Sequence, residues 1–201
     1  SFFKTGHYTP KRTIAIAGSL VKEPKYYETI IGSELKKFLM HSKVDNNTQL
    51  RCINGNVLNG KIESPDGYIG YYNNLVSIIP EGNNYRMFGW LPFVDNKILS
   101  LSNTSLSWLF NRNGSEVNSS LNGEERAIVV TGEMENVFPM DIYPMQLIKA
   151  CLASDIEKME GLGIYEVIPE DFGLIDFSNT SKIEAQEIIR EGIELMIKEV
   201  G

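Results

Sequence analysis

Apolar positions fall into short β-capable runs over the first half of the chain and into helical spacing over the second. Residues 13–17, TIAIA, are apolar and stop at Gly18, which tolerates the positive φ of a sharp exit. Pro24 imposes an extended approach to a second strand at residues 26–29. Ser33 is placed to cap a helix whose Leu35, Phe38 and Leu39 share one face. Residues 49–53 predict the strand that completes a sheet under that helix, and Asn54-Gly55 and Asn59-Gly60 supply turns with left-handed positions.

Two strands, a helix across them and a returning strand describe a β-grasp-like unit over residues 13–62. It follows a leader, residues 1–12, in which Gly6 and Pro10 break any helix. A β-rich extension over residues 63–110 predicts strands at 68–72, 75–79 and 85–91, with turns at Asn73-Asn74 and at residues 80–84. Tyr68, Tyr71, Tyr72, Tyr85, Phe88, Trp90 and Phe93 gather there, and core packing with sheet pairing is the expectation for them over a stacking platform. Residues 111–123 are polar, rich in Gly, Asn and Ser and without period, which predicts a loop.

The last part, residues 124–201, is predicted mainly helical, so the fold class is α+β. Residues 126–131 read as its one strand, ending at Gly132. Asp141 is placed to cap a helix with Pro144 in its first turn, and Met145, Ile148, Cys151 and Leu152 share a face. A short helix over residues 155–160 stops at Gly161, and Pro169 with Glu170-Asp171 marks another helix start. Ser181 and Glu184 have capping-box spacing ahead of a last helix carrying Ala185, Ile188, Ile189, Ile193, Met196, Ile197 and Val200.

At 201 residues with 42% hydrophobic and 22% charged positions, the chain can bury a core. A net charge of −7 and no Lys/Arg run argue against nucleic acid as a partner. Apolar stretches are broken well short of the roughly 18 residues that suggest a membrane span, and residues 1–4 lack the start of a signal peptide. Cys52 and Cys151, far apart and outside any metal spacing, read as buried reduced thiols of a cytosolic protein. The sequons at Asn113 and Asn118 carry no weight there.

Nucleophilic catalysis needs a base near a Ser, Cys or Thr. His7 lies in the leader and His41 reads as a solvated loop residue, no GxSxG precedes a helix, and no phosphate-binding glycine motif or Cys/His cluster occurs. The Glu170-Asp171 pair is read as dipole capping, since it has no neighbouring His or further acid. No catalytic, cofactor-binding or metal-binding residue is assigned.

The runs AGS-V-x-x-P at residues 17–24, Y-x-T-x-x-G-x-x-L at 27–35 and C-I-N-G-x-V-L-x-G at 52–60 resemble the soluble-ligand-binding β-grasp domain of respiratory flavoprotein complexes. More narrowly they resemble its form in the A-subunit of the bacterial sodium-translocating NADH:quinone oxidoreductases. Segments 2–6, 76–82, 88–90, 97–100, 125–127, 138–144 and 169–172 are similar to that family in the same order. The resemblance implies a longer chain with an N-terminal domain ahead of Ser1. It also implies a peripheral subunit on the cytoplasmic side of the inner membrane, held by the other subunits of an enzyme that moves electrons from NADH to ubiquinone and exports sodium. FAD, FMN, riboflavin and iron–sulfur centres are then expected on those other subunits and none on this segment, with ubiquinone nearby. One departure stands out: the family's tail commonly has cysteines where this chain has Ile175 and Asn179.

Two functional readings remain open at this point, a non-catalytic docking part of that reductase and a small-ligand-binding β-grasp module. For partner contact the candidates are Phe138, Met140, Asp141, Tyr143 and Pro144, large apolar residues and prolines in a short connector. The same residues also suit a buried helix entrance.

Overall fold

The computed structural model describes residues 2–41, 49–82 and 117–200. The chain divides into two compact units, residues 1–120 and 121–201. The strand predicted at 85–91, the aromatic residues Tyr85, Phe88, Trp90 and Phe93, and the family-like segments 88–90 and 97–100 lie outside the described residues.

Unit 1 is a five-stranded mixed sheet with one helix packed on it. Its strands are β1 (Lys11–Ala17), β2 (Lys25–Ile30), β3 (Leu50–Asn54), β4 (Lys61–Glu63) and β5 (Leu75–Pro80), in the order β2-β1-β5-β3-β4. The leader forms a short helix, α1 (Phe2–Thr5), where its composition predicts none. β1 and β2 form an antiparallel pair with Lys11 opposite Ile30, while β5 enters between β1 and β3, parallel to the first and antiparallel to the second. Ile14 and Ile16 of β1, Val76 and Ile78 of β5 and Cys52 of β3 alternate onto one face. There they meet Leu35 and Phe38 of α2 (Leu35–His41), with Tyr27 edge-on to Phe38 at 5.5 Å between ring centroids.

Several local expectations fail in this unit. Ser33 does not cap α2: its hydroxyl donates to Ile30 O at 2.7 Å, and Leu35 N donates to Gly67 O at 3.0 Å. Residues 68–72 form no strand. Ile69 N donates to Ser33 O and Asn73 N to Gly70 O, so this segment clamps the helix entrance and then turns. Tyr68, Tyr71 and Tyr72 are accordingly exposed rather than in the core, with Arg12 lying over the Tyr71 ring. Asn54 is a buried strand residue whose amide donates to Tyr68 O, and positive φ falls on Gly55. His41 closes α2 rather than sitting in a loop.

Unit 2 is helical: α3 (Pro144–Leu152), α4 (Ile156–Gly161), two 3-10 turns at Ile164–Glu166 and Pro169–Phe172, α5 (Gly173–Ser178) and α6 (Ala185–Val200). Met145, Leu147 and Ile148 of α3 pack with Met159, Phe172, Ile175, Ile189 and Met196. The Phe138 ring lies 4.7 Å from that of Phe172. On α6 the buried stripe is Ala185, Ile189, Gly192 and Met196, spacings of three and four. Ile197 and Val200 are exposed, as is Leu152 on α3, contrary to the predicted faces. Gly192 packs directly against α3, since a Cβ there would sit 2.6 Å from Cys151 Sγ and 3.2 Å from its Cβ.

Residues 126–131 form no ladder among the described residues. Asp155, predicted as the first residue of a short helix, is instead the N-cap of α4, accepting from Lys158 N at 3.2 Å, and Asp171 Oδ2 reaches back to Ile168 N at 3.0 Å. Asp141 does not cap α3, whose N-cap is Tyr143 without a side-chain bond, although Pro144 does occupy the first turn.

Gly18 is fixed by position as well as by φ. At +130° it lies against β5, and a Cβ would sit 2.0 Å from Ile78 O. Gly18→Ala is expected to destabilise unit 1 by about 3 kcal/mol, combining backbone strain and overpacking. Gly32→Ala, at φ +75° but with open space around it, should cost about 1 kcal/mol. Urea unfolding read by hydrogen exchange of β1 and β5 amides checks the contrast. In unit 2, Gly192→Ala should lose about 1–2 kcal/mol despite its gain in helix propensity. That loss should shrink by at least about 0.5 kcal/mol in a Cys151→Ala background.

Candidate functional site

Three places in the molecule gather side chains that bear on function: the connector before α3, a groove in unit 2, and the junction at the end of β5. The connector holds the five residues proposed for partner contact. Phe138 and Pro144 are buried and Met140 is half-buried against the core. That geometry suits the buried helix entrance. Asp141 and Tyr143 remain exposed, Tyr143 with 65% of its surface open.

The groove is open and shallow, with a volume of about 490 Å³, and is lined by residues 125–128, by Lys149 and Leu152 of α3 and by Ile183. Its walls are set by a buried polar turn. Asn179, fully buried, donates to Ile175 O at 2.8 Å and to Ile183 O at 3.3 Å, and its Oδ1 accepts from Ile183 N at 3.1 Å. Ser181 then holds the facing wall, since Arg126 N donates to Ser181 O at 2.8 Å and Ser181 Oγ donates to Ala127 O at 3.2 Å. These bonds use Ser181 up, so the predicted capping box does not form, and Lys182 takes φ +58° just before the helix.

Asp176 caps α6 instead. Its Oδ1 accepts from Ala185 N at 2.5 Å and Gln186 N at 3.3 Å, and Oδ2 accepts from Gln186 Nε2 at 2.7 Å. Burial pushes the Asp176 carboxyl above the usual range for aspartate, and the bonds from Gln186 and the helix amides offset part of that rise. Lying nine residues before the helix it caps, Asp176 carried no signal in the sequence. Gly192 did carry one, a glycine inside a helical pattern. Ile175 and Asn179 are both fully buried.

At the end of β5 the Glu81 carboxylate is bound by two nitrogens of Arg51, Nε at 2.9 Å, and by Ser119 Oγ at 2.8 Å. The Arg51 hydrogen bonds, then that of Ser119, hold the Glu81 carboxyl below the usual range. Ser119 Oγ also accepts from Gly82 N at 2.7 Å. The junction ties β3 to the chain leaving β5. Cys52 and Cys151 are free and buried, and burial pushes both thiols up to about 11. Among the described residues there is no group of three His, Cys, Asp or Glu side chains able to hold a metal, and no helix long and apolar enough to cross a membrane.

A grasp-like sheet followed by a helical unit agrees with what sequence comparison finds. The NQRA C-terminal domain family matches residues 13–64. Beyond that segment, the A-subunit of the Na(+)-translocating NADH-quinone reductase of Neisseria meningitidis serogroup B is 33% identical over 198 residues, 98% of this chain and 44% of that protein. Its counterpart from Rhodopirellula baltica is 36% identical over 201 residues, 99% of this chain and 43% of that protein, and the one from a Marinomonas species is 35% identical over 200. The chain belongs to this A-subunit family, and it spans a little under half the length of these curated relatives.

Asp176→Ala should cost about 1–2 kcal/mol by freeing the first amides of α6, while Asp176→Asn, which keeps an acceptor, should cost less. The sign of the pH dependence follows from the raised folded-state pKa. The advantage Asp176 gives over Asn is full below its unfolded pKa and is lost as pH rises through the folded one. Thermal melts of wild type and Asp176→Asn between pH 3 and 7 should therefore converge toward Asn, or cross in its favour, as pH increases.

Proposed function

We propose that the chain is a docking region of a sodium-translocating NADH-quinone reductase, seated peripherally on the cytoplasmic face of a bacterial inner membrane. Electrons pass from NADH to ubiquinone, and sodium is exported, on neighbouring subunits that carry FAD, FMN, riboflavin and iron–sulfur centres. Ubiquinone binds near this region. One observation carries the reading: identity of 33–36% to A-subunit proteins runs over 98–99% of the chain and so covers both units, not the β-grasp segment alone. The exposed apolar residues of unit 2, Tyr143, Leu152, Val129 and Val130, support a surface role there. Of the connector residues, Asp141 and Tyr143 are assigned to partner contact in this reading, which their exposure supports.

The test is deletion of residues 11–80 from the full-length protein in a bacterium that depends on the pump. Loss of the assembled complex or of quinone-coupled sodium uptake is expected, with NADH oxidation by an artificial acceptor at the flavin subunit retained. Normal assembly together with normal sodium uptake would overturn the reading.

A further inference from the structure

Residues 127–131, AIVVT, have strand composition, yet they lie in no helix and in no sheet. One end is pinned, through Arg126 N and Ala127 O on Ser181. Beyond the pin, among the described residues, no backbone hydrogen bond engages Ile128, Val129 or Val130. Val129 is 73% exposed and Val130 52% exposed, an unusual fate for two adjacent β-branched residues. The same segment forms one wall of the 490 Å³ groove. The lining brings two cations, Arg126 and Lys149, without an ion pair among the described residues, against one carboxylate, Glu125.

We propose that residues 127–131 are a docking strand that takes up an extended, acidic segment of a partner polypeptide. The incoming strand satisfies the open N–H and C=O groups of Ile128, Val129 and Val130, which gives affinity without demanding a sequence. Alternate side chains of that strand fall toward the groove, where Leu152 and Ile183 receive apolar groups and Arg126 and Lys149 receive carboxylates. The pin at Ser181 holds one end of the receiving strand in place beforehand, which lowers the ordering cost of binding. A second copy of this chain fits less well. Antiparallel self-pairing centred on Val129 sets Glu125 opposite Glu133, like charges face to face, between two bodies of net charge −7.

The proposal rests on the reading that this region docks within the reductase, and one experiment separates the two. Hydrogen exchange of the amides of residues 128–130 is measured in the isolated full-length protein and in the reductase purified from membranes. Exchange at least tenfold slower in the complex is expected. Val129→Pro removes one donor at a position outside every helix and ladder of the described residues. It should leave the melting temperature of the isolated protein unchanged while abolishing the protection of Ile128 and Val130. The pair Arg126→Glu and Lys149→Glu, which leaves the backbone intact, should weaken retention of the protein in the complex at low salt and not at high salt. Co-purification with equal exchange in both states overturns the docking strand and leaves the reductase reading standing. Failure to co-purify overturns both. Protection that rises with the concentration of the isolated protein makes the occupant a second copy and overturns the acidic partner.

Discussion

One buried amide holds the turn on which the second unit depends. Asn179 bonds back to Ile175 O and forward to both backbone groups of Ile183, closing the passage from α5 to α6 around a fully buried amide. A buried polar group satisfied on every side fixes geometry more tightly than apolar packing does, because each alternative arrangement leaves an orphan. From that turn Ser181 is presented to the segment at 126–127 and Asp176 to the first amides of α6. The groove, its facing wall and the last helix all inherit their positions from it.

Unit 1 is organised by a different constraint, the insertion of β5 between β1 and β3. A central strand needs both faces and both edges filled, and residues 75–80 provide the buried run Val76, Ser77, Ile78 and Ile79. The price of that insertion appears at Gly18, where the chain leaving β1 passes so close to Ile78 that no side chain fits. Arg51 and Ser119 then fix Glu81 at the exit of β5, a charge-assisted junction that fixes where the chain leaves the sheet.

Much of what marks the chain as a relative of the reductase A-subunits turns out to serve this scaffolding. In the family-like segments, Glu81 ties strands together, Phe138 and Phe172 pack ring against ring at a tilt in the core of unit 2, and Pro144 starts α3. Arg126 and Ala127 differ, since they line a groove and lead into a strand that has no sheet. Two units with separate cores, each bearing features of one family, are consistent with a region that acts through its surfaces.

The sequence by itself determined the class of the fold, most element positions and the family. β1, β2, α2, β3, β5, α3, α4 and α6 were legible because apolar period and breaker residues are local properties, readable within a few neighbours. So was the burial of both cysteines. Only the tertiary structure decided the sheet order, the central place of β5 and which residues cap which helix. Ser33, Asp141 and Ser181 all have the right chemistry for a cap. Ser33 and Ser181 are drawn to backbone oxygens elsewhere, α3 begins at Tyr143 without a side-chain cap, and Asp176 caps α6 from outside any local window. Residues 126–131 and 68–72 make the same point for strands, for composition gives a segment the capacity to pair, while pairing itself needs a second chain segment brought alongside by the fold.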